Sequence, residues 1–251
     1  MITVKSAAEI ETMARAAEVV VDALREARGL IEPGNTTEAI DKAVRKTIEG
    51  KGGRPAFLGY MGFPASTCIS LNAEIVHGIP SAERVIVEGD VVSVDVGVEI
   101  DGYYGDAAFT VALGDAGADL LACCRECLIN GIGQCRVGGR LGDVSHAIES
   151  TAKAGGYNVV REYVGHGIGT KMHEEPQVPN FGPSGKGPKL VPGMTFALEP
   201  MVVGGDWRTK VGRDKWTVVT RDGELSAHFE HTIVITENEP RILTEGWEEF
   251  A

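Results

Sequence analysis

From position 91 to 100 the chain alternates between two kinds of residue. Val92, Val94, Val96, Val98 and Ile100 are apolar, and Ser93, Asp95, Gly97 and Glu99 lie between them. Period two predicts a strand with one apolar face. Asp101-Gly102 then reads as a two-residue hairpin turn. That turn sets the register: residue 100 faces 103, 97 faces 106 and 95 faces 108. On the return strand Ala107, Phe109 and Val111 join the apolar face. Elsewhere the period is helical. Ser6-Ala-Ala-Glu9 forms a capping box that opens an amphipathic helix to about Arg28. After the turn Pro33-Gly34-Asn35, a second helix runs from about Thr37 to Ile48 and is stopped by Gly50, Gly52 and Gly53. Residues 116–134 and 143–154 predict two more. Residues 54–80 are rich in Gly, Pro and aromatics. Strand-like runs fill 84–113, 157–164, 194–204 and 215–236. The order is helix, helix, hairpin, then helix, helix and several strands. It suggests two similar halves sharing one helix-covered sheet, an α+β arrangement. No linker or short repeat interrupts it, so residues 1–251 are expected to form a single domain.

Composition narrows the class. With 251 residues, 43% of them apolar, the chain can bury a substantial core. A formal charge of −12 argues against a broad phosphate-binding surface, hence against DNA as partner. No apolar run reaches membrane-spanning length, and the N-terminus lacks a signal-peptide core, which places the expected location in the cytoplasm. The five cysteines include Cys124-Arg-Glu-Cys127 inside a predicted helix, with no second pair at zinc-site spacing. They read as buried thiols.

The hairpin register projects Asp95 and Asp106 from one face as diagonal neighbours, roughly 7–8 Å apart at the backbone. Gly97 and Ala108 are expected to leave the space beside them open. Two adjacent acids repel unless something cationic holds them. Glu199 and Glu230 sit in apolar, strand-like settings, where an acid is costly unless paired or metal-bound. His166 follows the run 157–164 between two glycines, which are expected to leave room for a ligand. It opens the stretch G-H-G-I-G-T-K-M-H-E-E-P, residues 165–176, whose second histidine is His173. Four carboxylates and one imidazole suit two divalent ions of the Mn, Fe or Co type better than a structural zinc.

In order along the chain, N-A-E-I-V-H-G-I-P (72–80), S-V-D-V-G with G-D (93–97, 105–106), G-H-G-I-G-x-x-x-H-E-E-P (165–176), T-F-A-L-E-P-M (195–201) and W-T-V-V-T with H-F-E-H-T (216–220, 228–232) resemble the type I methionine aminopeptidases. The resemblance covers nearly the whole chain. It implies the pita-bread fold, a pseudo-symmetric half-barrel around a dinuclear metal site. It puts the five metal ligands on Asp95, Asp106, His166, Glu199 and Glu230. It sets His77 and His173 against the substrate near the scissile bond and Trp216 on the rim. His166 and Glu199 are only 33 residues apart, which leaves no room for the type II insertion.

The implied activity is removal of the N-terminal methionine from nascent chains, near the ribosome, by a monomer that prefers a small second residue. A metal-generated hydroxide would attack the carbonyl, with Glu199 shuttling the proton and His173 assisting at the oxyanion. Phe57, Tyr60, Phe63, Cys68, Met172 and Trp216 would line an apolar slot for the thioether. Phe57, Met172 and His228 depart from residues common in the family. Glu174 and Glu175 are expected to be structural or solvated. The nearest rival is an X-Pro peptidase of the same fold, which usually carries an extra N-terminal domain. A non-catalytic relative would typically have lost ligands.

Overall fold

A computed structural model describes residues 2–250 of the chain. Four helices carry the sheets: α1 (Ala7–Leu30), α2 (Thr37–Gly50), α3 (Ala118–Gly133) and α4 (Leu141–Ala154). The Ser6/Glu9 capping box opens α1 as expected, with Glu9 Oε2 accepting from the Ser6 N–H at 2.7 Å. α1 packs on α2 and on the Val91–Ile100/Tyr103–Ala112 hairpin; α3 packs on α4 and on the Met201–Val203 and Ser226–His228 strands. The hairpin register is the one the alternation predicts, with Gly97 opposite Asp106 and Asp95 opposite Ala108. Asp101 and Gly102 both take positive φ, 50° and 80°, as a twist-matched two-residue turn requires. Val92, Val94, Val96, Val98, Ala107 and Phe109 are buried together under α1 and α2 in the main core.

Several expectations need correction. The halves do not share one continuous sheet: the strands form four hydrogen-bonded sheets, the largest joining Arg241–Ile242, His231–Val234, Thr195–Leu198, Gly165–Gly167 and Glu174–Val178. The strand expected from 84 begins at Val91, because residues 84–86 instead run beside 34–37 at the entry to α2, through the Thr36–Val85 bridge, and Glu88-Gly89 then turn the chain. Of 157–164, only Asn158–Val159 pair. Both strand-like runs with acids are broken at the acid. Glu199-Pro200 separates Thr195–Leu198 from Met201–Val203, and Phe229-Glu230 separates Ser226–His228 from His231–Val234. Proline at 200 cannot continue a ladder, which explains the first break.

The two halves meet where Glu74–Val76 pairs with Val218–Thr220 and, beneath the acids, along a short seam. Ala108 and Glu230 form an antiparallel bridge, with the Glu230 N–H donating to the Ala108 carbonyl at 2.9 Å. On either side, threonine hydroxyls replace the next backbone bonds. Thr232 Oγ1 accepts from the Asp106 N–H at 2.9 Å and donates to the Asp106 carbonyl at 2.7 Å. Thr110 Oγ1 treats His228 the same way, at 2.9 and 2.7 Å. The C-terminal segment braces this seam from behind: Trp247 stacks on Phe229 and His231 and its Nε1–H donates to the Glu230 carbonyl at 3.2 Å.

Candidate metal centre and substrate cavity

The breaks and the hairpin deliver their acids to one point. Ligand atoms of Asp106, His166 and Glu230 lie within 4.8 Å of one another. His166 Nε2 is 3.6 Å from Glu199 Oε1 and 3.9 Å from Asp106 Oδ2. Asp95 enters beside Asp106 along the same hairpin face. His166 is itself oriented: its Nδ1 is 2.9 Å from the Gly167 carbonyl, which can only accept, so Nδ1 carries the hydrogen and Nε2 presents its lone pair. The glycines around it do not leave room for a ligand, as the sequence suggested. A Cβ at Gly165 would stand 2.5 Å from the Ala197 carbonyl oxygen, and one at Gly167 would stand 2.4 Å from the Glu175 carbonyl oxygen. They let neighbouring backbone close on the strand.

These acids are not solvated hairpin groups. Asp106 and Glu230 are buried, and Asp95 Oδ1, Asp106 Oδ1 and Glu230 Oε1 have no hydrogen-bond partner among the described residues. Burial pushes Asp95 up to about 7. Burial, then the charges of Asp95 and Glu199, holds Asp106 well above the usual carboxylate range. Glu230 is raised by burial and by Asp106, Glu199 and Asp95, and Glu199 by burial and Asp95. Burial also lowers His166 to about 3 and so keeps it neutral. Crowded, partnerless carboxylate oxygens beside a neutral imidazole lone pair are the donor set of a divalent-cation site. The residues fit such ions.

A cavity of about 180 Å³ opens onto this cluster. It is lined by every residue that the sequence assigned to the site: Phe57, Tyr60, Phe63, Cys68, His77, Asp95, Asp106, His166, Met172, His173, Glu199, Trp216 and Glu230. Its apolar wall is a cluster of its own, separate from the main core, built from Phe57, Phe63, Ala65, Cys68 and Met172 with Trp216 against it. The space beside Gly97 is therefore not open. A Cβ there would lie 2.7 Å from the Phe57 ring and 3.1 Å from the Met172 methyl. Trp216 meets Phe63 edge-on at 5.2 Å and His77 at 6.3 Å. His77 holds a left-handed backbone, φ 60°, and burial lowers its pKa to about 4. His173 lies 4.1 Å from the His166 ring, centre to centre, and its Nδ1 is 2.9 Å from the Tyr60 hydroxyl.

Glu174 belongs to a different structure. Its carboxylate accepts from Lys5 Nζ at 2.6 Å and from the N–H groups of Thr170 and Lys171 at 2.8 and 3.2 Å. Sequence reasoning missed Met61 and Val76, which also line the cavity, and Tyr163, edge-on to His77 at 5.7 Å. None carries a local signal of its own. The five cysteines are free and buried, as expected.

Fold and site together define a metal-dependent hydrolase: residues 11–237 match the model of Metallopeptidase family M24, and the chain belongs to that family. Within it, the chain is similar to the methionine aminopeptidase of Clostridium acetobutylicum, at 47% identity over 97% of this chain and 99% of that one. It superposes on the crystal structure of methionine aminopeptidase from Thermotoga maritima with a TM-score of 0.96, at 50% identity, covering 98% of this chain and 100% of that one. The prolidase from Pyrococcus furiosus, at 22% identity and a TM-score of 0.78, shares the fold, and the match covers 65% of its length.

Proposed function

We propose that this chain is a type I methionine aminopeptidase, which removes the N-terminal methionine from peptides and nascent proteins. One observation carries the reading. An apolar slot rich in sulfur and aromatic groups ends on a buried cluster of four carboxylates and an imidazole. The slot fits a thioether side chain, and the cluster fits the hydrolytic centre. Asp95, Asp106, His166, Glu199 and Glu230 would hold two divalent ions, with Mn, Fe or Co as the candidates. When bound, the ions supply Lewis acidity and a water made acidic enough to attack at neutral pH.

The chain's own residues do the rest. Phe57, Phe63, Cys68, Met172 and Trp216 bury the methionine side chain and exclude water around the scissile bond. Glu199 takes a proton on its carboxylate and delivers it to the leaving amine. With His173 Nδ1 accepting from the Tyr60 hydroxyl in their 2.9 Å contact, the His173 hydrogen would sit on Nε2, where it can stabilise the developing oxyanion. His77 contacts the peptide on the leaving side. The chain acts in the cytoplasm, as a monomer, on emerging chains; the free cysteines fit a reducing compartment. No helix among the described residues is long and apolar enough to cross a membrane.

The test is hydrolysis of a Met-Ala-x panel beside X-Pro peptides, with Mn, Fe or Co returned after chelation. Release of methionine from the first set supports the reading. Faster cleavage of the X-Pro set, or none of either with any ion, overturns it.

A further inference from the structure

The seam between the halves has a local two-fold character. About the Ala108–Glu230 bridge, Asp106 is clasped by Thr232 and His228 by Thr110, each through its N–H and its carbonyl. The segments read D-x-A-x-T and H-x-E-x-T. His228 thus holds, in the second half, the position that the ligand Asp106 holds in the first. Nothing in the proposed mechanism uses it.

Its side chain is 2% exposed and its direction is fixed by the clasp on its backbone and by pairing with Met201. Nε2 has no hydrogen-bond partner among the described residues. It stands 3.9 Å from Glu199 Oε2 and 3.9 Å from Glu230 Oε2. With ions bound, Glu199 and Glu230 are ionised and can only accept, so the neutral ring is lower in energy with its hydrogen on Nε2 than with a lone pair there. Small side-chain rotations close those gaps to hydrogen-bonding distance, as polar groups at such sites commonly do on binding.

We propose that His228 is a positioning residue of the metal centre, whose Nε2–H donates to the Glu199 and Glu230 carboxylates and aims their remaining oxygens at the ions. It holds the side chains of the two glutamates at strand breaks, of which Glu230 has the Ala108 bridge for its backbone and Glu199 no strand partner. The inference rests on the ligand set proposed above. A donor behind a metal-binding group typically contributes about 10- to 100-fold in metal affinity.

The test compares two substitutions of similar size. His228→Gln can place an amide N–H near the Nε2 position, whereas His228→Asn reaches only the Nδ1 position. Mn(II) affinity is measured by titration calorimetry on chelator-stripped protein, and the visible absorption of the Co(II)-loaded protein is recorded. His228→Asn is expected to weaken binding of at least one ion about 10- to 100-fold and shift the Co(II) spectrum, with His228→Gln within about threefold of the parent. Unchanged affinity in His228→Asn overturns the proposal. So does equal loss in both variants, because that makes His228 a ligand rather than a donor. Should His228→Asn not fold, nitrogen-15 spectra of the unsubstituted protein loaded with a diamagnetic divalent ion decide: hydrogen on Nε2 supports the proposal, and hydrogen on Nδ1 overturns it. Unsubstituted protein that bound metal but cleaved no methionyl peptide would sink the proposed function and leave this inference standing.

Discussion

At the residue scale, the site separates groups that act from groups that hold. Glu199→Gln removes the proton carrier and, in the metal-free protein, replaces a carboxyl that burial already pushes toward its neutral form with an amide of the same shape. Activity on Met-Ala-x is expected to fall by about 10²- to 10⁴-fold, while a thermal melt of the metal-free protein stays at or above that of the parent. A melt well below the parent would show that the side chain is structural. His173→Ala withdraws a donor needed only in the transition state, so kcat is expected to fall about 10²- to 10³-fold with little change in KM. A rise in KM alone would make His173 a simple contact. These residues were legible for different reasons. Asp95 and Asp106 follow from alternation plus a turn, which is local geometry. Glu199 and Glu230 stand out because an acid in an apolar run is expensive, and His166 because it sits between two glycines at the end of such a run. His77, His173 and Trp216 became readable only through the resemblance. The link from Tyr60 to His173 spans 113 positions and has no local pattern to reveal it.

At the scale of elements, the capped helices and the 91–112 hairpin were readable because one physical signal, periodicity, spans enough residues to dominate. The breaks at Glu199 and Glu230 were not. An apolar run gives the same pattern whether its hydrogen bonds form a ladder or are handed to side chains. The two threonine clasps are the clearest case, since Thr110 and Thr232 look like ordinary strand residues in sequence. Thr232→Val keeps the shape but strands the N–H and carbonyl of buried Asp106. A loss of about 1–3 kcal/mol is expected in urea unfolding, and no measurable loss would show that water replaces the hydroxyl. On the hairpin, Gly97→Ala would drive a methyl into Phe57 and Met172. Overpacking there is expected to raise KM for methionyl peptides by about tenfold or more, with stability falling less than for a core substitution. Unchanged steady-state kinetics would place the slot elsewhere.

At the scale of the molecule, two sets of acids pull stability in opposite directions with pH. In metal-stripped protein Asp95, at about 7, and the higher Asp106, Glu199 and Glu230 favour their neutral forms. Folded values above the unfolded one mean their contribution is full below about pH 4 and is lost as pH rises through the folded values. The stripped protein is therefore expected to lose melting temperature from pH 5 to pH 8, and an ion at 100 times its dissociation constant to restore about 2.7 kcal/mol, or roughly 5–10 °C for a chain this size. A stripped protein that melts higher at pH 8 than at pH 5 would contradict the reading of the cluster. Glu174 runs the other way. Lys5, Thr3 and backbone N–H groups lower its carboxyl to about 2, so its contribution is full above about pH 4.5 and lost as pH falls toward 2. The seam adds a further consequence. Asp95 and Asp106 precede the exposed turn at residues 114–116, while His166, Glu199 and Glu230 follow it. Nicking the chain there would yield two fragments, each with an incomplete donor set and neither able to hydrolyse anything alone. Mixing them should regenerate activity only as fast as the Thr110 and Thr232 clasps re-form, which makes the catalytic centre a reporter of whether two separately made pieces have found each other.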